Sequence, residues 1–295
     1  MCDDRQMKAL GERGFDWTMN RRQFALLGAA GAVAACAPMA GGAGADADVG
    51  ELTEEMVSIP TPDGTIDAFF VRPASGRHAA VLTWPDIAGL REAFREMARR
   101  LAAQGHAVLV VNPYYRSVAG EQFKDFAGFA AAGGFQKVGP WRKQLTPEAV
   151  MRDATAAIAW LDRQPSVDVQ RGVGTHGYCM GGPFTVFSAA AVPARVRAAV
   201  SLHGGGLVRG DEPTSPHMLL PRTRASYHIA VAQDDDAEAP KDKTVFKAAA
   251  DAAGRAATVE VYPADHGWTV IDSPAYDQVQ AERAWTAMSG LFGAL

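Results

Sequence analysis

Along residues 46–295, short apolar runs alternate with longer stretches whose apolar positions recur every three or four residues. The runs at 56–60 and 66–71 read as strands joined through Pro62-Asp63-Gly64, a turn sequence. Further short apolar runs at 79–84, 106–111, 172–175, 196–202, 227–232 and 258–262 have the form of parallel strands covered on both faces. Between them, 90–104 carries Phe94, Met97, Ala98 and Leu101 at helical spacing and stops at Gly105. Residues 147–163 predict a helix with Thr146 as N-cap and Pro147 in its first position. Other helices are predicted up to about residue 191, over 241–252 and over 274–292. Residues 112–146 interrupt the rhythm with aromatics set between glycines and predict a loop-and-helix excursion overhanging a site. Strands alternating with helices predict a single α/β domain with a doubly wound, mostly parallel sheet and helices on both faces.

Composition narrows the function classes. The 295 residues are 48% hydrophobic, enough to bury one large core. A net charge of −4 gives no nucleic-acid footprint, and no apolar run is long enough to span a membrane. Segment 1–45 stands apart. Asn20-Arg21-Arg22-Gln23-Phe24-Ala25-Leu26 places two arginines ahead of an apolar stretch that runs to about Cys36, followed by small residues to Ala45. This is the layout of an export signal of twin-arginine type, which predicts a periplasmic protein, or a cytoplasmic one if the signal does not operate. Val33-Ala34-Ala35-Cys36 matches a lipidation box and so a lipid anchor at Cys36; Ala43-Gly44-Ala45 is the alternative cleavage site. Met1 and Met19 are alternative starts. With Cys2 removed and Cys36 removed or blocked, Cys179 is the one thiol left of the three. A lone cysteine in an oxidising compartment has no intrachain partner and stays free, which suits a nucleophile.

That cysteine lies in Gly177-Tyr178-Cys179-Met180-Gly181-Gly182, directly after a predicted strand. Small residues two positions either side of a nucleophile, between strand and helix, make the nucleophile elbow of the α/β-hydrolase fold. The helix N-terminus favours thiolate, and the N–H after the nucleophile can hold an oxyanion. A thiol needs a base and the base an orienting acid. His266 follows the last predicted strand, and Asp234-Asp235-Asp236 follows the strand before it. The chain order is then nucleophile, acid, histidine. Asp235 is the chosen orienter, with Asp236 and then Asp234 as alternatives. His176, just before the elbow, reads as a core histidine.

These features resemble the dienelactone hydrolase family over residues 50–292. Gly177-Tyr178-Cys179-Met180-Gly181-Gly182 is similar to the family's nucleophile motif, and His266-Gly267-Trp268 to its histidine motif. Pro113-Tyr114-Tyr115-Arg116 sits where members carry an arginine for the substrate carboxylate, which implies that role for Arg116. Ser201-Leu202-His203-Gly204-Gly205-Gly206 looks like another family segment, and Ser215-Pro216-His217 resembles one of a bacterial subgroup. In Trp84-Pro85-Asp86-Ile87-Ala88-Gly89, Asp86 stands where the family has a thiol-activating glutamate, and the N–H groups of Ile87 and Met180 are implied as the oxyanion hole. Trp84, Trp268 and His203 flank the site as pocket residues. A second family arginine has no counterpart in His266-Gly267-Trp268-Thr269-Val270.

The resemblance and the triad order imply hydrolysis of a small ester or lactone through a cysteine thioester. No metal-ligand cluster or phosphate-cradling loop is visible, so no cofactor is implied, and a monomer acting on a small molecule is expected. The rival readings are a generic carboxylesterase with no preference for acidic lactones, a non-catalytic ligand-binding envelope protein, and a redox-sensing thiol.

Overall fold

The computed structural model describes residues 51–295; the arginine pair, Cys2, Cys36 and both alternative starts lie outside the described residues. Among the described residues, eight strands form one mixed sheet. They are β1 (Leu52–Thr61), β2 (Gly64–Pro73), β3 (Ala79–Trp84), β4 (His106–Val111), β5 (Val173–Tyr178), β6 (Val196–Leu202), β7 (Ser226–Ala232) and β8 (Ala257–Tyr262). Their order is β1-β2-β4-β3-β5-β6-β7-β8. The β1–β2 hairpin is antiparallel and joins β4 antiparallel; every other pairing is parallel.

The central strands are buried on both faces, so each of their side chains needs an apolar neighbour. In β3, Ala80, Leu82 and Trp84 join the core on one side and Val81 the core on the other. One face is covered by α1 (Glu92–Ala102) and α9 (Gln278–Phe292), through Phe94, Met97, Leu101, Trp285, Met288 and Phe292. The opposite face is covered by α4 (Pro147–Leu161), α5 (Gly182–Ala191) and α8 (Asp242–Ala252), through Val150, Ile158, Phe187 and Phe246. Thr146 caps α4 by accepting a hydrogen bond from the Ala149 N–H at 3.2 Å.

Some boundaries differ from the sequence pattern. The apolar run at 172–175 continues as strand to Tyr178, because β3 and β6 flank it along its length. Beyond the four-residue α6 (Pro216–Leu219), the stretch after β7, to which the sequence pattern assigns no element, forms a short helix α7 (Gln233–Glu238), whose first turn carries three aspartates that suit its positive end. The last helix begins at Gln278 rather than 274, where the Asp277 side chain caps it. The excursion contains α2 (Phe126–Ala131) and α3 (Gly134–Arg142). Its Tyr114, Phe123, Phe129 and Val138 pack with Ile87, Ala88 and Cys179 in a third cluster, so it is a wall of the site with a core of its own.

Arg91 ties three of these pieces together. It precedes α1 in extended backbone (φ −154°, ψ 177°), and its side chain is wholly buried. Nη1 and Nη2 donate to Asp86 Oδ1 and Oδ2 at 2.7 and 2.9 Å. Nε and Nη2 donate to Asp272 Oδ2 and Oδ1 at 2.8 and 2.7 Å. Asp86 also accepts from the Ala88 N–H at 2.9 Å, and Asp272 from the Phe126 N–H at 3.0 Å. The loop after β3, the start of α2 within the excursion and the segment after His266 therefore meet at one guanidinium. Burial alone would lower the Arg91 pKa; the two carboxylates outweigh it and raise it.

Removing one member of such a cluster leaves an uncompensated buried charge. Arg91→Met is expected to lose about 3–5 kcal/mol, read as a fall of roughly 10 °C in apparent Tm. Arg91→Lys, which keeps the charge but not the planar fork, should fall between Met and wild type. A Met variant that melts with wild type would show that the cluster contributes nothing net.

Candidate active site

Cys179 begins a 3₁₀ turn (Cys179–Gly181) between β5 and α5, and its φ is 52°. Only one other non-glycine residue among those described, His203, has a positive φ. Left-handed backbone in a residue bearing a Cβ is strained and persists where packing over-determines it. The packing here is that tight. A Cβ on Gly177 would lie 2.0 Å from the Gly181 carbonyl oxygen, and one on Gly181 would lie 2.4 Å from that of Trp84. No larger residue fits at either position without moving the turn that presents the sulfur.

His266 reaches the site from the segment after β8. Its imidazole hydrogen-bonds the Cys179 sulfur on one side and, at Nδ1, Asp235 Oδ2 at 2.7 Å on the other. The three aspartates have separate tasks. Asp234 Oδ1 accepts from the backbone N–H of His266 at 2.9 Å and from that of Asp235 at 3.0 Å. Asp236 pairs with Lys243. Burial by itself would lower the His266 pKa, but the adjacent Cys179 sulfur and Asp235 outweigh it and raise it above the ordinary histidine value. That balance favours the imidazolium form of His266.

The loop after β3 borders the sulfur. The Ile87–Ala88 peptide is pinned at both ends: Tyr114 Oη donates to the Ile87 carbonyl at 2.7 Å, and the Ala88 N–H donates to Asp86. Tyr114 Oη also lies 3.4 Å from Met180 Sδ. Ile87, Met180 and Cys179 belong to one packed cluster. Asp86 is buried, and its two oxygens are taken up by Arg91 and Ala88, so its carboxylate holds the loop. His203 braces the histidine from behind. Its ring lies 4.8 Å from that of His266 and 5.2 Å from Trp268, and Nε2 bonds Thr269 Oγ1 at 2.9 Å. Burial and then the neighbouring His266 hold its pKa well below the usual histidine range. His176 lies in the core between Thr83 and Tyr178, where burial pushes its pKa down to about 3.

Four pocket assignments need correction, the first being His203, which is buried behind His266 and does not line the cavity. Arg116 is not at the cavity. Its guanidinium is shared by Asp63 and the buried Asp153 at 2.7 Å each, because Asp153 on α4 needs a counter-charge. Trp84 lies in the core, donating Nε1–H to Ser188 Oγ at 3.0 Å and set edge-on to Phe184. Trp268 is fully buried and stacks on Tyr262 at 5.2 Å. Arg91, Asp272 and the hydroxyl role of Tyr114 are absent from the sequence reading. An arginine flanked by an aspartate five residues earlier was the one local signal available for the first of them.

Cys179, Met180, Asp235 and His266 line a cavity of about 640 Å³, together with apolar residues such as Phe184, Phe187 and Phe246 and charged ones such as Arg209 and Glu238. Among the described residues no cluster of His, Cys, Asp and Glu is arranged to hold a metal.

Comparison with known proteins gives a family from the sequence and a fold from the structure. The dienelactone hydrolase family model matches residues 66–295. A candidate carboxymethylenebutenolidase of Methylorubrum extorquens is 28% identical over 283 residues, covering 93% of this chain and 93% of that protein. A candidate dienelactone hydrolase from Klebsiella pneumoniae superposes with a TM-score of 0.70 at 24% identity, over 83% of this chain and all of the other, which speaks for the fold. The dienelactone hydrolase-like promiscuous phosphotriesterase P91, from metagenomic libraries, gives 0.65 at 25% identity over 83% of this chain and 98% of its own. With a match that spans most of the sequence and all of the site-bearing loops, the chain belongs to the dienelactone hydrolase family and is a hydrolase.

Proposed function

We propose that this protein hydrolyses a small carboxylic ester or lactone with Cys179 as nucleophile, His266 as base and acid, and Asp235 as the group that orients His266. The observation that carries the reading is the single imidazole bonded to the Cys179 sulfur on one side and to Asp235 on the other, at the floor of a cavity. The thiolate attacks the substrate carbonyl carbon, and the carbonyl electron pair moves to oxygen, stabilised by the N–H groups of Met180 and Ile87. The tetrahedral intermediate collapses as its alcohol oxygen leaves with the proton from His266. A thioester remains on Cys179. His266 then takes a proton from water, hydroxide adds to the thioester carbonyl, and sulfur departs, releasing the acid and restoring the ion pair. Sulfur leaves such an intermediate more readily than an amine does, so esters and lactones fit the site better than amides.

Asp86 takes a structural part in this reading, because its carboxylate is committed to Arg91. The engagement of Arg116 with Asp63 and Asp153 favours a substrate different from one held by a carboxylate at that position. Recognition of any acidic group falls to other residues. We also propose export through the Arg21-Arg22 signal, with the mature chain starting at a lipidated Cys36 or after Ala45. Mass spectrometry of the mature N-terminus separates the two, and Arg21→Lys/Arg22→Lys should retain the protein in the cytoplasm.

Chemical tests follow from the ion pair. An imidazolium persists below its raised pKa, so it keeps its partner thiolate across the neutral range. Alkylation of Cys179 by iodoacetamide is expected to stay fast well below about 8.5, the free-cysteine value. His266→Ala should restore a profile centred near that value of about 8.5 and reduce p-nitrophenyl acetate turnover by roughly 10²–10⁴-fold. Asp235→Asn removes a contact that raises the His266 pKa, so the imidazolium should be lost at a lower pH than in wild type. Cys179→Ala should abolish turnover. An ordinary thiol profile with no hydrolysis would leave the ligand-binding reading, and hydrolysis indifferent to His266→Ala would leave a redox thiol.

A further inference from the structure

The cavity that opens at Cys179 extends well past the nucleophile. It runs along the sheet between α5 and α8, and three elements give its depth. On β7, Ile229 lies three residues before Ala232, the end of the strand, or about 10 Å along it. On α5, Phe187 stands five residues past Gly182, about 7.5 Å of helix rise. On α8, Phe246 stands four residues past Asp242, about 6 Å of rise. The strand ends and both helices begin at the sheet edge that carries Cys179 and Asp235, so all three distances lead inward from the reacting atoms.

The lining changes character along that depth. Charged side chains reach the cavity from its outer rim: Arg142 at the end of α3, Glu238 at the end of α7, and Asp242 and Lys243 in the first turn of α8. Lys243 is paired with Asp236. Arg209, from the loop after β6, sets its guanidinium carbon 5.5 Å from the Phe187 ring centroid, a cation on an aromatic face. Inside the rim, β7, β8 and the second turns of α5 and α8 contribute Ile229, Val231, Val259, Phe187 and Phe246, every one apolar. Ile229 and Val259 are neighbours across the parallel β7–β8 pair and form the inner end. Val231 and Val259 are only partly covered by the protein, although both pack against the core. Apolar surface left open in a concave site leaves water at a gain once a hydrocarbon group covers it. An ionised group set on the Ile229–Val259 pair would lose its hydration and meet no polar side chain from either strand.

We infer that the substrate is an ester or lactone bearing an extended, uncharged hydrocarbon group, and that Ile229, Val259 and Phe246 set how far that group enters. This inference rests on the reading of Cys179 as the nucleophile at the outer end of the same cavity. A compact acidic lactone bound at Cys179 would leave the inner valines uncovered, whereas an alkyl or aryl chain carried on the ester reaches them.

The test follows kcat/KM of the wild-type protein through two series. One lengthens the acyl group, from p-nitrophenyl acetate to the octanoate; the other lengthens the alcohol, from ethyl acetate to octyl acetate. In the series whose variable group enters the cavity, kcat/KM should rise about ten-fold or more from shortest to longest. Ending that longest chain in a carboxylate, as p-nitrophenyl hydrogen suberate or 8-acetoxyoctanoate, should cancel the gain. Val259→Phe, which places a ring at the inner end, should lower the long-to-short ratio by about ten-fold. In parallel, calorimetry on Cys179→Ala protein compares octanamide with acetamide; octanamide should bind about ten-fold or more tighter, and Val259→Phe should remove the difference. A ratio that stays flat in both series, with the esters still hydrolysed, overturns the inference and leaves the hydrolase reading intact. So does a carboxylate-ended ester that reacts as well as its uncharged counterpart. Tighter octanamide binding that Val259→Phe removes, with no ester hydrolysed by wild type, overturns the hydrolase reading and retains the apolar pocket.

Discussion

The lack of free volume around Cys179 is the constraint on which the rest of the site depends. A cysteine held at φ 52° is strained by about 1–3 kcal/mol. The strain persists because β5, the 3₁₀ turn and the loop after β3 approach one another more closely than any Cβ would allow. The turn consequently cannot relax toward an ordinary strand-to-helix connection. Its rigidity aims the sulfur into the cavity and places the first turn of α5 beneath it. Had the turn any slack, the sulfur would drop into the apolar core, where burial favours thiol over thiolate.

The site has two further supports of different physical kinds. One is electrostatic. Arg91 gathers Asp86 and Asp272, and through them the loop that carries Ile87, the excursion that supplies Tyr114, and the segment that follows His266. Buried ion pairs contribute little to net stability compared with an apolar replacement, yet they strongly resist loss of one partner. That asymmetry suits an element whose task is to fix geometry. The other support is a set of directed hydrogen bonds around His266. Asp234 holds its backbone, Asp235 its Nδ1, and a neutral His203 packs against its ring without adding a second positive charge. The positive charge of the histidine pair therefore falls on His266, next to the sulfur, and not on His203.

Legibility from sequence divided along the same physical lines. Strands buried on both faces announce themselves as continuous apolar runs, and 79–84, 106–111 and 196–202 match β3, β4 and β6. The Thr146 cap and the Gly-X-Cys-X-Gly elbow were readable because a cap and a steric exclusion are local demands on residue type. The helix over Gln233–Glu238 was not, since three consecutive aspartates resemble a solvated loop until their position at a helix start is known. Trp84 and Trp268 read as pocket walls because proximity in sequence to a site says nothing of which side of the backbone faces it. Arg91 was invisible for a related reason: its importance lies in Asp272, which is remote in sequence and brought near only by the fold.

Arginine roles are the hardest to carry from a motif, because a guanidinium serves whichever acid it meets. Arg116 meets Asp153 at 2.7 Å, a carboxylate that is 2% exposed and pairs with no other cation among the described residues. A substrate carboxylate drawing Arg116 into the cavity would have to leave Asp153 charged and uncompensated, at a cost of several kcal/mol. The fold therefore fixes Arg116 as structure before any ligand arrives. Within one chain, then, the backbone that presents the sulfur is a rigid turn that local residue types specify, while the task of an arginine is settled by the acids the fold brings to it.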